Sequence, residues 1–224
     1  MTDDSNITSL APESRRFALR LVEALLFASG EPLAASDIAS RLPEGSDVDA
    51  LLAELEHAYS ARGVNLVRVA GKWLFRTAPD LSFLLKRDLT EARRLSRPAL
   101  ETLAIIAYHQ PVTRAEIEEV RGVSISKGTI DVLMEQGWVR MRGRRRAPGR
   151  PVTYGTTEAF LVHFGLDAIG DLPGLEELRG AGLLDGRIPP GFAVPEPHDG
   201  PDLTADEDPL DPGDLLPSGL GEEQ

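Results

Sequence analysis

Two stretches of this chain, 79 residues apart, carry one pattern. Pro32-Leu33-Ala34-Ala35-Ser36-Asp37-Ile38 parallels Pro111-Val112-Thr113-Arg114-Ala115-Glu116-Ile117: proline, apolar residue, three variable positions, acid, isoleucine. Each copy follows an apolar run, EALLFASGEP and TLAIIAYHQP. A whole helix–turn–helix start repeated at a fixed offset points to two copies of one domain. The length of 224 residues allows one or two domains with cores of their own.

The second copy is the better punctuated. Pro98 suits a first helical turn, where its missing N–H is no loss, and Leu100, Leu103, Ala104 and Ala107 recur at helical spacing. Gln110-Pro111 ends that helix. Thr113 and Glu116 form a capping box, with Val112 and Ile117 as its hydrophobic staple, and Gly122 closes the short helix. Ser124 or Ser126 starts a third helix, with Ile130, Leu133 and Met134 inward. Residues 138–141 and 152–155 alternate as two strands around a basic loop, a wing, and Thr156 or Thr157 caps a helix through Phe160 and Phe164.

The first copy lacks the capping threonine, since Ala34 stands there. Its leading helix, Glu13 to Ser29, is apolar on more than one side, so it should be buried on more than one side. It is either a central core helix or one shared with a dimer partner. Asp47 can cap a helix with Leu51, Leu52, Leu55 and Tyr59 inward, and residues 64–69 and 72–77 alternate as a hairpin around Ala70-Gly71. Pro79-Asp80 opens a connecting helix with Leu81, Leu84, Leu85 and Leu89 inward.

The net charge of −12 is unevenly held. Residues 167–224 carry 15 acids against Arg179 and Arg187, while the rest of the chain is near neutral. From Pro189 to Gln224 there are 8 prolines, 10 acids and no Lys or Arg, a composition that predicts disorder. Truncation after Arg187 is therefore expected to leave the melting temperature nearly unchanged. Leu172, Leu175 and Leu178 suit one short docked helix.

The absence of cysteine leaves no disulfide or thiolate metal site and fits a cytoplasmic chain. No apolar run is long enough to span a bilayer, and the acidic start is neither a secretory signal nor a transit peptide. Phosphate-loop, dinucleotide, zinc-protease and nucleophile-elbow motifs are all missing. The four histidines are far apart, and His109 reads as a solvated helix-terminal residue. No catalytic residue, cofactor or metal is expected.

Six arginines fall between residues 140 and 150. Arg142, Arg144, Arg145, Arg146 and Arg150 could contact DNA phosphates in a salt-dependent way. The same loop could instead be solvated, or pair with acids on a partner or on this chain's own tail. The helices that would read base edges argue against sequence recognition. Asp131 and Glu135 point outward in one, and Asp47, Asp49, Glu54 and Glu56 lie on the other, where groove binding needs Arg, Lys, Asn or Gln.

The segments LETLAIIAYHQPVTRAEIEEVRGV, APGRPVTYGTTEAFLVHFGL and DLPGLEEL resemble the ScpB family of segregation and condensation proteins over roughly residues 16–178. RMRGRRRAPGRP is more arginine-rich than that family leads one to expect. The resemblance implies a non-catalytic homodimer that binds the kleisin ScpA and, through it, Smc, in chromosome condensation and segregation. It places the chain in the cytoplasm at the nucleoid, with no membrane or small-molecule partner. Kleisin contacts are expected around Tyr108, Pro111, Thr113 and Ile117, and dimer contacts at Phe17, Leu19, Val22 and Leu26. The alternative is a winged-helix DNA-binding transcription regulator.

The expected fold is mainly α with small β wings, as two tandem winged helix-turn-helix domains. Residues 1–12 form a disordered arm, 13–79 the N-terminal, dimerising domain, and 80–96 a connecting helix. Residues 97–168 form the C-terminal domain, 169–188 a short docked segment, and 189–224 a disordered acidic tail.

Overall fold

Helices and strands alternate in the same order twice. The computed structural model describes residues 12–87, 95–181, 197–198, 200 and 202–215. It divides into two units, Met1–Ala92 and Arg93–Gln224. In the first, α1 (Pro12–Ala28), α2 (Ala35–Ala39) and α3 (Val48–Tyr59) precede a hairpin of β1 (Val64–Val69) and β2 (Lys72–Thr77). Ala18, Val22 and Leu26 form one buried stripe on α1 against Ile38, Leu51, Leu52 and Leu66. Asp47 caps α3 by accepting from Ala50 N at 3.1 Å. Ala70 and Gly71 both take positive φ, 50° and 73°. That turn hand matches the twist of two antiparallel strands.

The second unit repeats the order. Here α4 (Arg97–His109), α5 (Arg114–Arg121) and α6 (Lys127–Glu135) precede β4 (Val139–Arg145) and β5 (Val152–Thr156), followed by α7 (Glu158–Phe164) and α8 (Leu175–Gly180). The short β3 (Val112–Thr113) pairs with β5, and β6 (Glu207–Asp208) pairs with β4, giving the sheet order β3-β5-β4-β6. Leu103, Ile106, Ile117, Ile130, Leu133 and Phe160 fill the core. α4 ends at Gln110 before Pro111, and Thr157 caps α7 through Phe160 N.

The repeat has a physical counterpart. Ile38 and Ile117 are both fully buried. Thr113 and Glu116 make both bonds of the capping box, whereas Ala34 offers no side-chain cap. The uncapped helix runs 5 residues and the capped one 8, the latter stopped by Gly122 at φ 69°.

Four expectations are corrected. Within the segment 80–96, a 3-10 helix rather than an α-helix covers Pro79–Arg87 and residues 95–96 are not helical; Leu81 packs near Gly63, and Phe83 and Leu84 stay more than half exposed. Leu89 lies outside the described residues. The basic wing is not a loop throughout, because β4 continues through Arg145. His109 is partly buried, and burial lowers its pKa. Within the 189–224 tail, residues 202–215 are folded onto β4. The like charges that predict disorder meet the arginines of residues 142–150, a partner that composition alone does not supply. Residues 1–11, 88–94, 182–196, 199, 201 and 216–224 lie outside the described residues. Ile169, not singled out from the sequence, is buried in the second core.

Candidate partner-binding site

The arginine-rich hairpin is the most highly charged structure in the second unit, and it is occupied. β6 runs antiparallel to β4 with Arg144 opposite Asp208 and Arg145 opposite Glu207. Arg146 N donates to Asp206 O at 2.8 Å. Residues 202–215 thus complete a sheet and lay their acids along the arginines.

At its centre is Glu207, 2% exposed. Thr153 Oγ1 donates to Glu207 Oε1 at 2.5 Å, and Thr204 N and Oγ1 donate to Oε2 at 3.0 and 2.9 Å. Arg142 Nη2 stands 3.7 Å from that carboxylate. Burial alone would raise the Glu207 pKa. The Thr153 and Thr204 hydrogen bonds, with the Arg142 charge, outweigh it and hold the carboxyl below its ordinary value. Burial likewise pushes Arg142 down, partly offset by Glu207. Arg142 also donates to the Asp202 and Gly200 carbonyls, at 2.7 and 3.3 Å.

Around this centre the pairs are more open. Arg144 grips Asp214 with two N–H groups, at 2.9 and 2.5 Å, a bidentate geometry that keeps Asp214 ionised below its usual pKa. Arg146 donates to Asp208 Oδ1 at 2.7 Å, and Arg150 Nη1 to Asp211 Oδ2 at 3.4 Å. Arg145 reaches Asp206 Oδ2 at 2.5 Å, Glu116 Oε2 at 2.9 Å and Pro111 O at 2.8 Å. One side chain therefore links the hairpin, the capping box and the acidic segment. Exposed pairs contribute about 0–1 kcal/mol each, so the buried carboxylate and the strand pairing set the specificity. Arg140, the sixth arginine, is exposed.

Two glycines make room. A β-carbon on Gly143 would lie 2.5 Å from Asp208 O and 2.9 Å from Leu203 Cδ2. One on Gly155 would lie 2.7 Å from Arg142 Cδ and 3.1 Å from Gln110 Oε1. Gln110 is itself buried: its side-chain oxygen accepts from Thr156 N at 2.6 Å, and its carbonyl accepts from His198 N at 3.1 Å.

The residues expected to meet a kleisin divide. Ile117 is core and Thr113 is a buried cap, so neither presents a side chain outward. Tyr108 and Pro111 are partly exposed, and the Tyr108 hydroxyl donates to Pro173 O at 2.9 Å. Tyr108 lines an apolar groove of about 380 Å³ with Leu100, Ala104, Phe164, Leu166 and Pro173. Leu100 and Phe164 are 51% and 46% exposed there. Neither helix periodicity nor the repeat singles out that groove, because it forms between α4, α7 and the chain after them.

The expected dimer residues divide too. Val22 and Leu26 are buried in their own core, which corrects their assignment to a partner face. Leu19 is partly buried and Phe17 is 53% exposed. Phe27, which the sequence marks only as one of the apolar residues of this helix and not as a dimer contact, is 84% exposed. At 3.6 residues per turn, Phe17 and Phe27 each lie about 140° from Val22, on the side of α1 away from the core.

The second unit holds an acidic strand from later in the same chain on a basic sheet edge. The family model described as "Segregation and condensation complex subunit ScpB" matches residues 20–175, and the chain belongs to that family. Segregation and condensation protein B of Symbiobacterium thermophilum is 44% identical over 160 residues, covering 70% of this chain and 73% of that one. The Desulforamulus reducens protein of the same name is 45% identical over 161 residues, covering 70% and 88%. Among solved structures, ScpB from Mycobacterium tuberculosis is 33% identical, over 68% of this chain and 97% of that chain, with a TM-score of 0.31. A conserved hypothetical protein from Chlorobium tepidum is 39% identical, over 70% and 100%, with a TM-score of 0.33. The family match ends before residues 202–215 begin. Among the described residues, no helix is long and apolar enough to cross a membrane, and no group of three or more His, Asp or Glu side chains could hold a metal ion.

Proposed function

We propose that this chain is the ScpB-type subunit of a bacterial condensin. It forms a homodimer and binds the kleisin ScpA, and through ScpA it joins Smc at the nucleoid in chromosome condensation and segregation. It carries out no reaction of its own. Each unit is read as a winged helix-turn-helix used for protein contact. Family membership supports the assembly. The observation that carries the protein-contact reading is the apolar groove beside Tyr108, with Leu100 and Phe164 standing open in it. The outward acids of α6, Asp131 and Glu135, would repel DNA phosphates.

The dimer is assigned to α1 through Phe17 and Phe27. Charged residues at both positions should give monomers by light scattering, with the helical circular dichroism retained. Co-elution with purified ScpA tests the whole reading. The wild-type chain should shift with ScpA, and L100D or F164D should weaken the shift. A chain that ignores ScpA but binds DNA sequence-selectively at physiological salt would instead be a transcription regulator. Any DNA binding expected here is non-specific, at about 10⁻⁴ to 10⁻⁶ M.

A further inference from the structure

We propose that the arginine-lined edge of β4 is a docking site for an extended acidic segment of another protein chain, and that Asp202–Leu215 is the occupant this chain supplies to itself. The acidic segment is a removable strap over a site made to be used in trans. This holds whether or not the Tyr108 groove grips a kleisin.

Four observations carry it. First, the contact has the form of strand addition: a short antiparallel pairing with β4, reinforced by side chains. Second, recognition has a centre. Thr153 and Arg142 of the sheet meet one glutamate, which Thr204 of the same segment also holds in place, while aspartates flank it on both sides. Third, the edge is shaped for a backbone passing close by, since a side chain at Gly143 would collide with the Asp208 carbonyl. Fourth, the contact is mostly polar. Leu203 remains 36% exposed, and the outer acids sit at the surface. Each exposed pair adds only about 0–1 kcal/mol, so a second strand with a glutamate in the same register can displace this one. Bare, β4 would offer an open strand edge beside five cations, which invites a second chain. A row of DNA phosphates could neutralise the arginines, but it could not add a strand or fill the glutamate pocket. The favoured ligand is therefore a peptide with a central glutamate among aspartates.

The probe is a fluorescent synthetic peptide of residues 200–215, read by anisotropy at physiological salt. The chain truncated after Arg187 should bind it. The full-length chain should bind it more weakly by on the order of tenfold or more, because a tethered segment competes at millimolar local concentration. Full-length E207Q keeps the site but loosens the strap, so it should recover binding in trans and covers the case of a poorly folding truncation. A peptide carrying Glu207→Gln or Glu207→Asp should bind at least about tenfold more weakly, the loss of one charged hydrogen-bonded contact. Truncated G143A should lose the peptide while keeping its circular dichroism. If truncation lowers the number of copies per particle, the trans segment comes from a second copy of this chain; an unchanged number of copies assigns it to a different protein. The proposal is overturned if neither the truncated chain nor E207Q binds the peptide better than wild type does. It is also overturned if a scrambled acidic peptide binds equally, or if a short DNA duplex binds the truncated chain more tightly than the peptide.

Discussion

The two units share an order of elements but differ in how their hairpins end. In the first, β1 and β2 close on a two-residue turn, and Leu33 bridges Trp73 with hydrogen bonds of 2.9 and 2.8 Å. In the second, β3 takes the corresponding place beside β5, and β4 gains a further strand from the far end of the chain. The apolar frame, with Ile38 and Ile117 at equivalent points, decides that a three-helix-and-hairpin unit forms. The charge of the hairpin decides what its free edge attracts. Arg68, Lys72 and Arg76 are spread along the first hairpin, whereas the second concentrates five arginines within residues 142–150.

The largest effect should come from the shared frame. I38A and I117A each remove a fully buried side chain and should each cost about 2–5 kcal/mol in their own unit, measured by chemical denaturation. A cost well below 2 kcal/mol for either would break the equivalence of the two positions.

Next comes the difference itself. Truncation after Arg187 should lower the second unit's stability by about 1.5–3 kcal/mol, the value of hydrogen bonds to a charged group. That corresponds to roughly 4–8 °C per kcal/mol for a domain of this size. Hydrogen exchange should rise in β4 and stay constant in β1 and β2. Acid should erase the gap between the two proteins. The Thr204 hydroxyl and Arg145 lower the Asp206 pKa, Arg144 lowers that of Asp214, and the net of burial and hydrogen bonding lowers that of Glu207. A carboxylate depressed on folding stabilises above its unfolded pKa and ceases to as pH falls through the folded value. The strap's contribution should be complete above the ordinary values of 3.8 and 4.5, decline below them, and be lost once the pH has fallen through the lowered folded-state values. A melting gap that persists in strong acid would assign the docking to apolar contacts.

The caps should give a smaller, reciprocal pair. T113A should cost about 1 kcal/mol, and A34T should stabilise the first unit by up to about the same amount. Equal and negligible effects would mean that the 5- and 8-residue helices differ for another reason. Smallest of all, R146A, at a side chain 57% exposed, should change stability by less than about 1 kcal/mol.

Most of the frame can be read from the sequence because its signals are local. The capping box, the αL glycine at 122, the Asp47 cap and the strand alternations each need only a few neighbouring residues. Burial on α1 is harder. Its wide apolar surface marks a helix in contact on several sides, but Val22 and Phe27 look equally apolar until α3 arrives to cover one and not the other. The strap was the least accessible. Composition counts ten acids over residues 189–224 and predicts disorder, because it weighs repulsion within the segment and not attraction to cations about 60 residues earlier. The sequence allows the wing to pair with the chain's own tail, but the register that seats Glu207 on Thr153 has no sequence signal. The groove beside Tyr108 is hidden for the same reason, since its walls come from elements far apart in the chain.

Gly143 carries a consequence for heredity. Its missing side chain is needed only while the Asp208 carbonyl lies over it. In a descendant that loses the acidic segment, the position is released to drift toward larger residues. In one that first acquires a larger residue there, the segment has nothing left to seat on. The glycine and the Asp-Glu-Asp run should therefore be kept or lost together across lineages, as lock and key pass to the same heir.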